Sequence, residues 1–402
     1  MKHTTAVAAL GYSQAMNQPA NPAARLERLE PLLRAEPDNL PLHRECVQLA
    51  MEGRAYERAL QLVEARLSRH PAEAEAQFAL SNALIGLQRF AAALDILKAL
   101  EAQGVTAAGV LSNLALCHFA LRNFANARAY AEQLLAAGET SPGTVRLAVS
   151  SLHFLGEMDA AVALADAHAA LAEKDGGLAG VFAMAYVDSS DVPKAARCAA
   201  IALAHNPDSI DGLTVEATIA AAALDAEKAT RQFARVVELA PNNGRGWLGL
   251  GMMAFLAMDL PRAQDFLARG LIDLPDHVGS WIALGWSNLL QGNIDGAEKH
   301  FTHALELDRN FGESHGAIAA IHAMRGNREA AERHIEIAER LDRSGLSSHY
   351  ARAVLMEKSG GPTAGREHIF KTMRHAAPRF GGKAGEVLKT IAEDGLKKMR
   401  SN

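Results

Sequence analysis

Two consecutive segments of 34 residues decide the fold: residues 244–277 read GRGWLGLGMMAFLAMDLPRAQDFLARGLIDLPDH, and residues 278–311 read VGSWIALGWSNLLQGNIDGAEKHFTHALELDRNF. Aligned without a gap, both have tryptophan at position 4, Leu-Gly at positions 7 and 8, and alanine at position 20. The alanine recurs at the same interval through most of the chain. It occupies Ala59, Ala93, Ala127, Ala161, Ala195, Ala229, Ala263, Ala297 and Ala331. A fixed period of this length indicates a chain built by stacking one helix–turn–helix unit.

Counting the alanine as position 20 divides residues 40–345 into nine units without an insertion. The units are 40–73, 74–107, 108–141, 142–175, 176–209, 210–243, 244–277, 278–311 and 312–345. The helical pattern breaks near position 15, which is glycine in three units, and near position 32, which is proline in four. Because glycine and proline disfavour helix continuation, each unit is predicted to contain two helices of about a dozen residues.

The unit resembles the tetratricopeptide repeat, which has a bulky residue at position 4, Leu-Gly at positions 7 and 8, and alanine at positions 20 and 27. The segment 278–311 supplies Trp281, Leu284, Gly285, Ala297 and Ala304 at these positions, while the first four units diverge but keep the spacing. The resemblance is to bacterial multi-repeat scaffolds. It implies an all-α, right-handed α-solenoid of stacked antiparallel helix pairs, with about nine 34-residue repeats plus caps. First helices would line its concave face and second helices its convex face.

The segments outside the nine units are predicted to cover the ends of the stack, whose apolar faces would otherwise meet water. Residues 23–39 form a predicted N-terminal capping helix, residues 346–377 a degenerate tenth unit, and residues 378–402 a basic C-terminal capping helix. Residues 1–22 have no periodicity and contain two prolines, so a mobile segment is predicted there.

The composition favours a protein without affinity for nucleic acid or a membrane. Apolar residues make up 49% of the chain and aromatic residues 5%, which predicts a core of alanine and leucine. The net charge is −5, so nonspecific attraction to nucleic acid is not expected. Residues 363–402 carry nine Lys or Arg and four Asp or Glu, which favours a solvated cap over a site for an anionic partner. Three cysteines and a weakly apolar N-terminus predict a cytoplasmic protein, or a periplasmic one if that segment acts as a signal.

No constellation of residues in the chain predicts catalysis. It lacks a phosphate-binding glycine loop, a Cys-x-x-Cys motif and a nucleophile elbow. His300 and His303 are one helical turn apart, and His334 lies on the equivalent helix of the next unit, so these three side chains are the best candidates for a metal site. The alternative is that they are surface residues of second helices. We predict the alternative, with no metal, no cofactor and no enzymatic activity.

The partner-binding surface is predicted on the first helix of each unit. Positions 4, 7, 8 and 11 face neighbouring helices, so positions 2, 5, 6, 9, 12 and 13 project into the groove. The predicted groove residues are Arg44, Phe78, Asn82, Asn113, Phe119, Arg146, His153, Phe154, Met184, Met252, Phe255, Ile282, Trp286, Met324 and Tyr350. The set is mixed near the N-terminus and apolar near the C-terminus.

The pattern predicts a non-catalytic scaffold or adaptor that binds a peptide or helical segment of a partner protein in its concave groove, through contacts that are partly apolar. Trp286 and Phe255 are the predicted hot spot. Alternatively, both side chains belong to the core between neighbouring units. An alternative function is a chaperone or assembly factor for a bacterial secretion, pilus or envelope system.

Overall fold

The computed structural model describes residues 21–361, 363–369 and 372. These residues contain 21 α-helices of four or more residues with assigned bounds, and no β-strand. Consecutive helices pack against each other in pairs along each of two compact units, which meet between Leu171 and Ala172. The predicted all-α solenoid of stacked helix pairs is therefore confirmed.

The first compact unit begins with a single helix and continues with helix pairs. Its helices are α1 Pro22–Ala35, α2 Leu40–Glu52, α3 Tyr56–Leu67, α4 Ala74–Gly86, α5 Phe90–Ala102, α6 Ala108–Ala120, α7 Phe124–Ala136, α8 Pro142–Phe154 and α9 Met158–Ala167. The short helix α10, Ala169–Ala172, spans the boundary between the units.

The second compact unit has the same alternation of helices. Its helices are α11 Gly176–Asp188, α12 Val192–His205, α13 Ile210–Ala222, α14 Ala226–Leu239, α15 Gly244–Leu256, α16 Leu260–Asp273, α17 Val278–Leu290, α18 Ile294–Leu307, α19 Gly312–Arg325, α20 Arg328–Leu341 and α21 Leu346–Gly360. Residues 363–369 are also helical. The predicted C-terminal capping helix and nearly all of the predicted mobile segment 1–22 lie outside the described residues.

Small side chains at fixed positions let the two helices of a pair approach each other. All nine alanines at position 20 are completely buried. Gly251, at position 8, has the same role, because a Cβ atom there would lie 2.7 Å from Cγ of Leu267 on the second helix. Larger residues at either position would push the helices apart.

The turn between the two helices of each pair uses one backbone conformation nine times. The residue at position 15 has a positive φ in every unit, between 55° and 83°. Only three of the nine are glycines, namely Gly156, Gly292 and Gly326. The other six include Leu224 and Met258, for which this conformation costs about 1–2 kcal/mol. Packing of the flanking helices therefore imposes the turn even where the residue disfavours it.

Candidate partner-binding site

Polar predicted groove residues of the first compact unit form hydrogen bonds between successive first helices. Arg44 Nε donates to Glu75 Oε1 at 2.5 Å, and this pairing raises the pKa of Arg44. Asn113 Nδ2 donates to Asn82 Oδ1 at 2.6 Å. Phe78 is half-buried, and a Cβ atom added to Gly109 would lie 3.0 Å from its ring. These side chains stabilise the stack, and their polar groups already have partners within the protein.

Three phenylalanines of the same compact unit form an exposed aromatic cluster. The rings of Phe124 and Phe154 are stacked with centroids 4.6 Å apart, and Phe119 meets both edge-on at 5.4 and 5.7 Å. Phe154 remains 52% exposed, and the neighbouring turn residues Leu121 and Leu155 are 43% and 37% exposed. We call these five residues the aromatic cluster.

The edge of the aromatic cluster carries nitrogen-bearing side chains. The ring centroid of His153 lies 5.7 Å from that of Phe154, and the guanidinium carbon of Arg122 lies 5.8 Å from the centre of the Phe124 ring. Arg146 is exposed on α8, the helix that ends at Phe154, and makes no ion pair within the part of the chain that the structure describes. The apolar surface of the cluster is thus on the same helix as a free positive charge, eight residues or about 12 Å along its axis.

The sequence pattern predicted Phe119, His153 and Phe154 as groove residues but did not predict Phe124, Leu121 or Leu155. Phe124 is the first residue of a second helix, whereas the two leucines lie in turns at position 14. Restricting the prediction to first helices excluded them. The signal that could have found them is the repetition of leucine at position 14 in three consecutive units, at residues 87, 121 and 155.

Apolar predicted groove residues of the second compact unit pack mainly against one another. Trp286 is half-buried, meets Tyr350 edge-on with centroids 5.0 Å apart, and donates from Nε1 to Oγ of Ser347 at 3.2 Å. Met324 packs in the same cluster, and burial raises the pKa of Tyr350. Trp286 is thus largely part of the packing between helices, which was the alternative interpretation of this residue.

The remaining predicted groove residues divide between core and surface. Met184 and Ile282 are buried, at 9% and 7% exposure, and so present little surface to a partner. Met252 is 36% exposed and Phe255 is half-buried on the same helix.

The three candidate metal ligands do not form one group in the structure. His300 and His303 both contact the ring of Trp281, with centroids 5.5 and 4.6 Å away. His334 pairs instead with His315, with 3.1 Å between their Nδ1 atoms. Within residues 21–361, 363–369 and 372, no group of three or more His, Cys, Asp or Glu side chains is arranged to hold a metal ion.

The contacts of His315 indicate which ring nitrogen donates in the His315–His334 hydrogen bond. His315 Nε2 lies 3.0 Å from the backbone oxygen of Arg309, which can only accept, so Nε2 carries the proton. With the proton on Nε2, Nδ1 of His315 accepts a hydrogen bond from Nδ1 of His334. Burial lowers the pKa of His334, and the neighbouring rings of His315 and His322 lower it further.

Of the described helices, none is both long and apolar enough to span a lipid bilayer.

Comparisons with known proteins agree with the helix-pair architecture. Residues 278–311 match the family model of the tetratricopeptide repeat. Among solved structures, the APC/C hetero-tetramer Cut9–Hcn1 superposes with a TM-score of 0.54 at 15% identity, over 89% of this chain and 75% of that chain. The human IFIT1 dimer with m7Gppp-AAAA superposes with a TM-score of 0.51 at 12% identity, over 84% and 90%. At such identities the likeness establishes the fold. A comparison with curated proteins found no match in sequence.

Proposed function

We propose that the chain, whose residues 278–311 match the tetratricopeptide-repeat model, binds a partly apolar segment of a partner protein through the aromatic cluster. Solenoids of this family are typically non-catalytic scaffolds for protein interactions. The finer assignment, to one surface of this chain, comes from the exposure of Phe154.

The aromatic cluster is the observation that carries the proposal. Contiguous exposed apolar surface is unfavourable in water, and covering it contributes about 25 cal/mol per Å². Phenylalanine is a rigid anchor that loses little conformational entropy on binding, and stacking between Phe124 and Phe154 holds their rings in place before a partner arrives. Arg146 would pair with an acidic side chain near the docked segment. We infer an occupant with at least one apolar anchor and a carboxylate.

The test compares the partners captured by two variants that each lose one exposed apolar side chain. Phe154→Ser removes the most exposed ring of the aromatic cluster, and Ile272→Ser removes a side chain that is 83% exposed but lies outside it. With tagged protein expressed in the source cells, quantitative mass spectrometry should show a partner lost from Phe154→Ser and retained by Ile272→Ser. Equal capture by folded Phe154→Ser and wild type would contradict the proposal.

A third variant tests Phe255, one of the two hot-spot residues predicted from the sequence. Phe255→Ser alters the second compact unit and leaves the aromatic cluster intact. Loss of the same partner from Phe255→Ser but not from Phe154→Ser would move the binding surface to α15, as the sequence predicts.

The alternative function, a chaperone or assembly factor for a bacterial secretion, pilus or envelope system, predicts a different result in the same experiment. A chaperone would capture several aggregation-prone clients, and all of them would decrease together in Phe154→Ser. A scaffold would lose one partner together with the proteins that are bound to that partner. The number of proteins affected therefore distinguishes the two functions.

A further inference from the structure

A cavity of about 300 Å³ lies between α12, α13 and α14 of the second compact unit. Its floor is made by Ala199 and Ala220, which are buried, and its walls include Leu203 and Ile219. The side chains of Glu216 and Lys228 are 29% and 38% exposed at its opening, and the other lining residues are Ala196, Ala200, Ala223 and Asp225.

Two residues that line the cavity are smaller than those at the same repeat positions in several other units. Ala199 occupies position 24, where the next three units have Phe233, Leu267 and Phe301. All three of those side chains are buried between helices. Ala220 occupies position 11, where the preceding unit has a buried tyrosine. Several other units therefore have a large side chain at the positions that border this cavity, although Ala131 and Ala165 also occupy position 24.

The opening of the cavity is polar although its floor is apolar. Glu216 occupies position 7, which is leucine in the next two units. Its Oε1 accepts from Nζ of Lys228 at 2.8 Å, and its Oε2 accepts from Nε2 of Gln232. An ionised carboxylate has about four acceptor positions, so the Glu216 carboxylate can still accept from a ligand.

We propose that this cavity binds one aromatic side chain of a partner protein, and that a backbone N–H next to that side chain donates to Glu216. Ligand pockets start at about 300 Å³, and an engineered apolar cavity of about 150 Å³ in another protein accepts benzene, so one ring fits with room to spare. The apolar floor excludes a charged or strongly hydrated group. The proposal rests on the proposed function, that the chain binds a partner segment, but it uses none of the residues of the aromatic cluster.

The experiment uses N-acetyl-4-fluorophenylalanine amide as the probe and the full chain as the receptor. Titration followed by ¹⁹F NMR should show a saturable shift of the fluorine signal with wild type. Two variants fill the cavity with side chains that the repeat uses elsewhere, Ala199→Phe and Ala220→Tyr, and both should lose the shift. The control Ala204→Phe adds the same ring at an exposed position on α12 and should bind the probe as wild type does.

Stability measurements separate filling from misfolding. Because a side chain that occupies an existing cavity adds apolar contacts, at least one filled variant should unfold at a temperature equal to or above that of wild type. An absent shift with wild type, an undiminished shift with both filled variants, or equal competition by N-acetylserine amide would overturn the proposal. Probe binding without any partner lost from Phe154→Ser would contradict only the role of the aromatic cluster.

Discussion

The aromatic cluster of the first compact unit and the Trp286–Tyr350 cluster of the second both include predicted groove residues of first helices, but they differ in exposure. Phe154 keeps 52% of its surface in contact with solvent. Trp286 is less exposed and donates a hydrogen bond to Ser347. The difference lies in the neighbouring helix. Small residues on α19, among them Gly316 and Ala320, let α21 approach until Tyr350 reaches the Trp286 ring. Aromatic residues on first helices therefore serve packing in one place and surface in the other.

The largest expected effect comes from truncating the two aromatic side chains. Trp286→Ala should lower the free energy of unfolding by about 3 kcal/mol, because loss of a large packed ring costs about 3–5 kcal/mol when it is fully buried. Phe154→Ala should cost less than about 1 kcal/mol, since much of its ring is already in water. Urea titrations followed by circular dichroism give both values. Equal losses would contradict the difference in packing between the two clusters.

A smaller effect should follow from separating α19 and α21. A Cβ atom at Gly316 would lie 2.5 Å from the backbone nitrogen of Ser348, so Gly316→Ala should cost about 1–3 kcal/mol by overpacking. The Trp286 ring should become more exposed, which shifts its fluorescence to longer wavelength. The matched control is Gly143→Ala on α8, where no atom lies within 4 Å of the added carbon and a gain of about 0.5–1 kcal/mol is expected. Destabilisation by both substitutions would contradict the close approach of α21.

The smallest effect concerns pH and is tested at His334 of the second compact unit. The folded-state pKa of His334 is below its usual value of 6.5, because burial and the rings of His315 and His322 disfavour its cation. The unfolded chain therefore binds the proton more tightly, so stability present above pH 6.5 decreases as the pH falls through 6.5 towards the folded-state pKa. His334→Gln should flatten this dependence, and His205→Gln, at an exposed histidine, should not. Urea titrations between pH 7.5 and pH 5 measure the slope; an unchanged slope in His334→Gln would exclude this histidine as its cause.

The fold was predictable because its information is local and repeated. The position-20 alanine recurs nine times, and in the structure each of these alanines is fully buried. Small residues at position 20 permit close helix pairs whatever the rest of the unit contains. The positive φ at position 15 was visible only in the three glycine-containing units, because at Leu224 or Met258 the surrounding helices impose it.

The candidate site was less predictable because exposure depends on distances between helices. Helical phase pointed Phe154 and Ile282 towards the same face, yet the first is 52% exposed and the second 7%. A period in the sequence assigns a direction to each side chain. It does not indicate how near the next helix lies or which neighbouring side chain covers a given residue.

The amino-acid sequence was enough to establish an all-α chain of 34-residue helix pairs, because small residues at a constant interval leave one efficient way to pack the helices. Three-dimensional packing selected which aromatic residues stay in solvent, and it left the cavity above Ala199 and Ala220 unfilled. Both outcomes depend on how side chains from different repeat units fill the space between helices. That fit is decided only when the helices pack together.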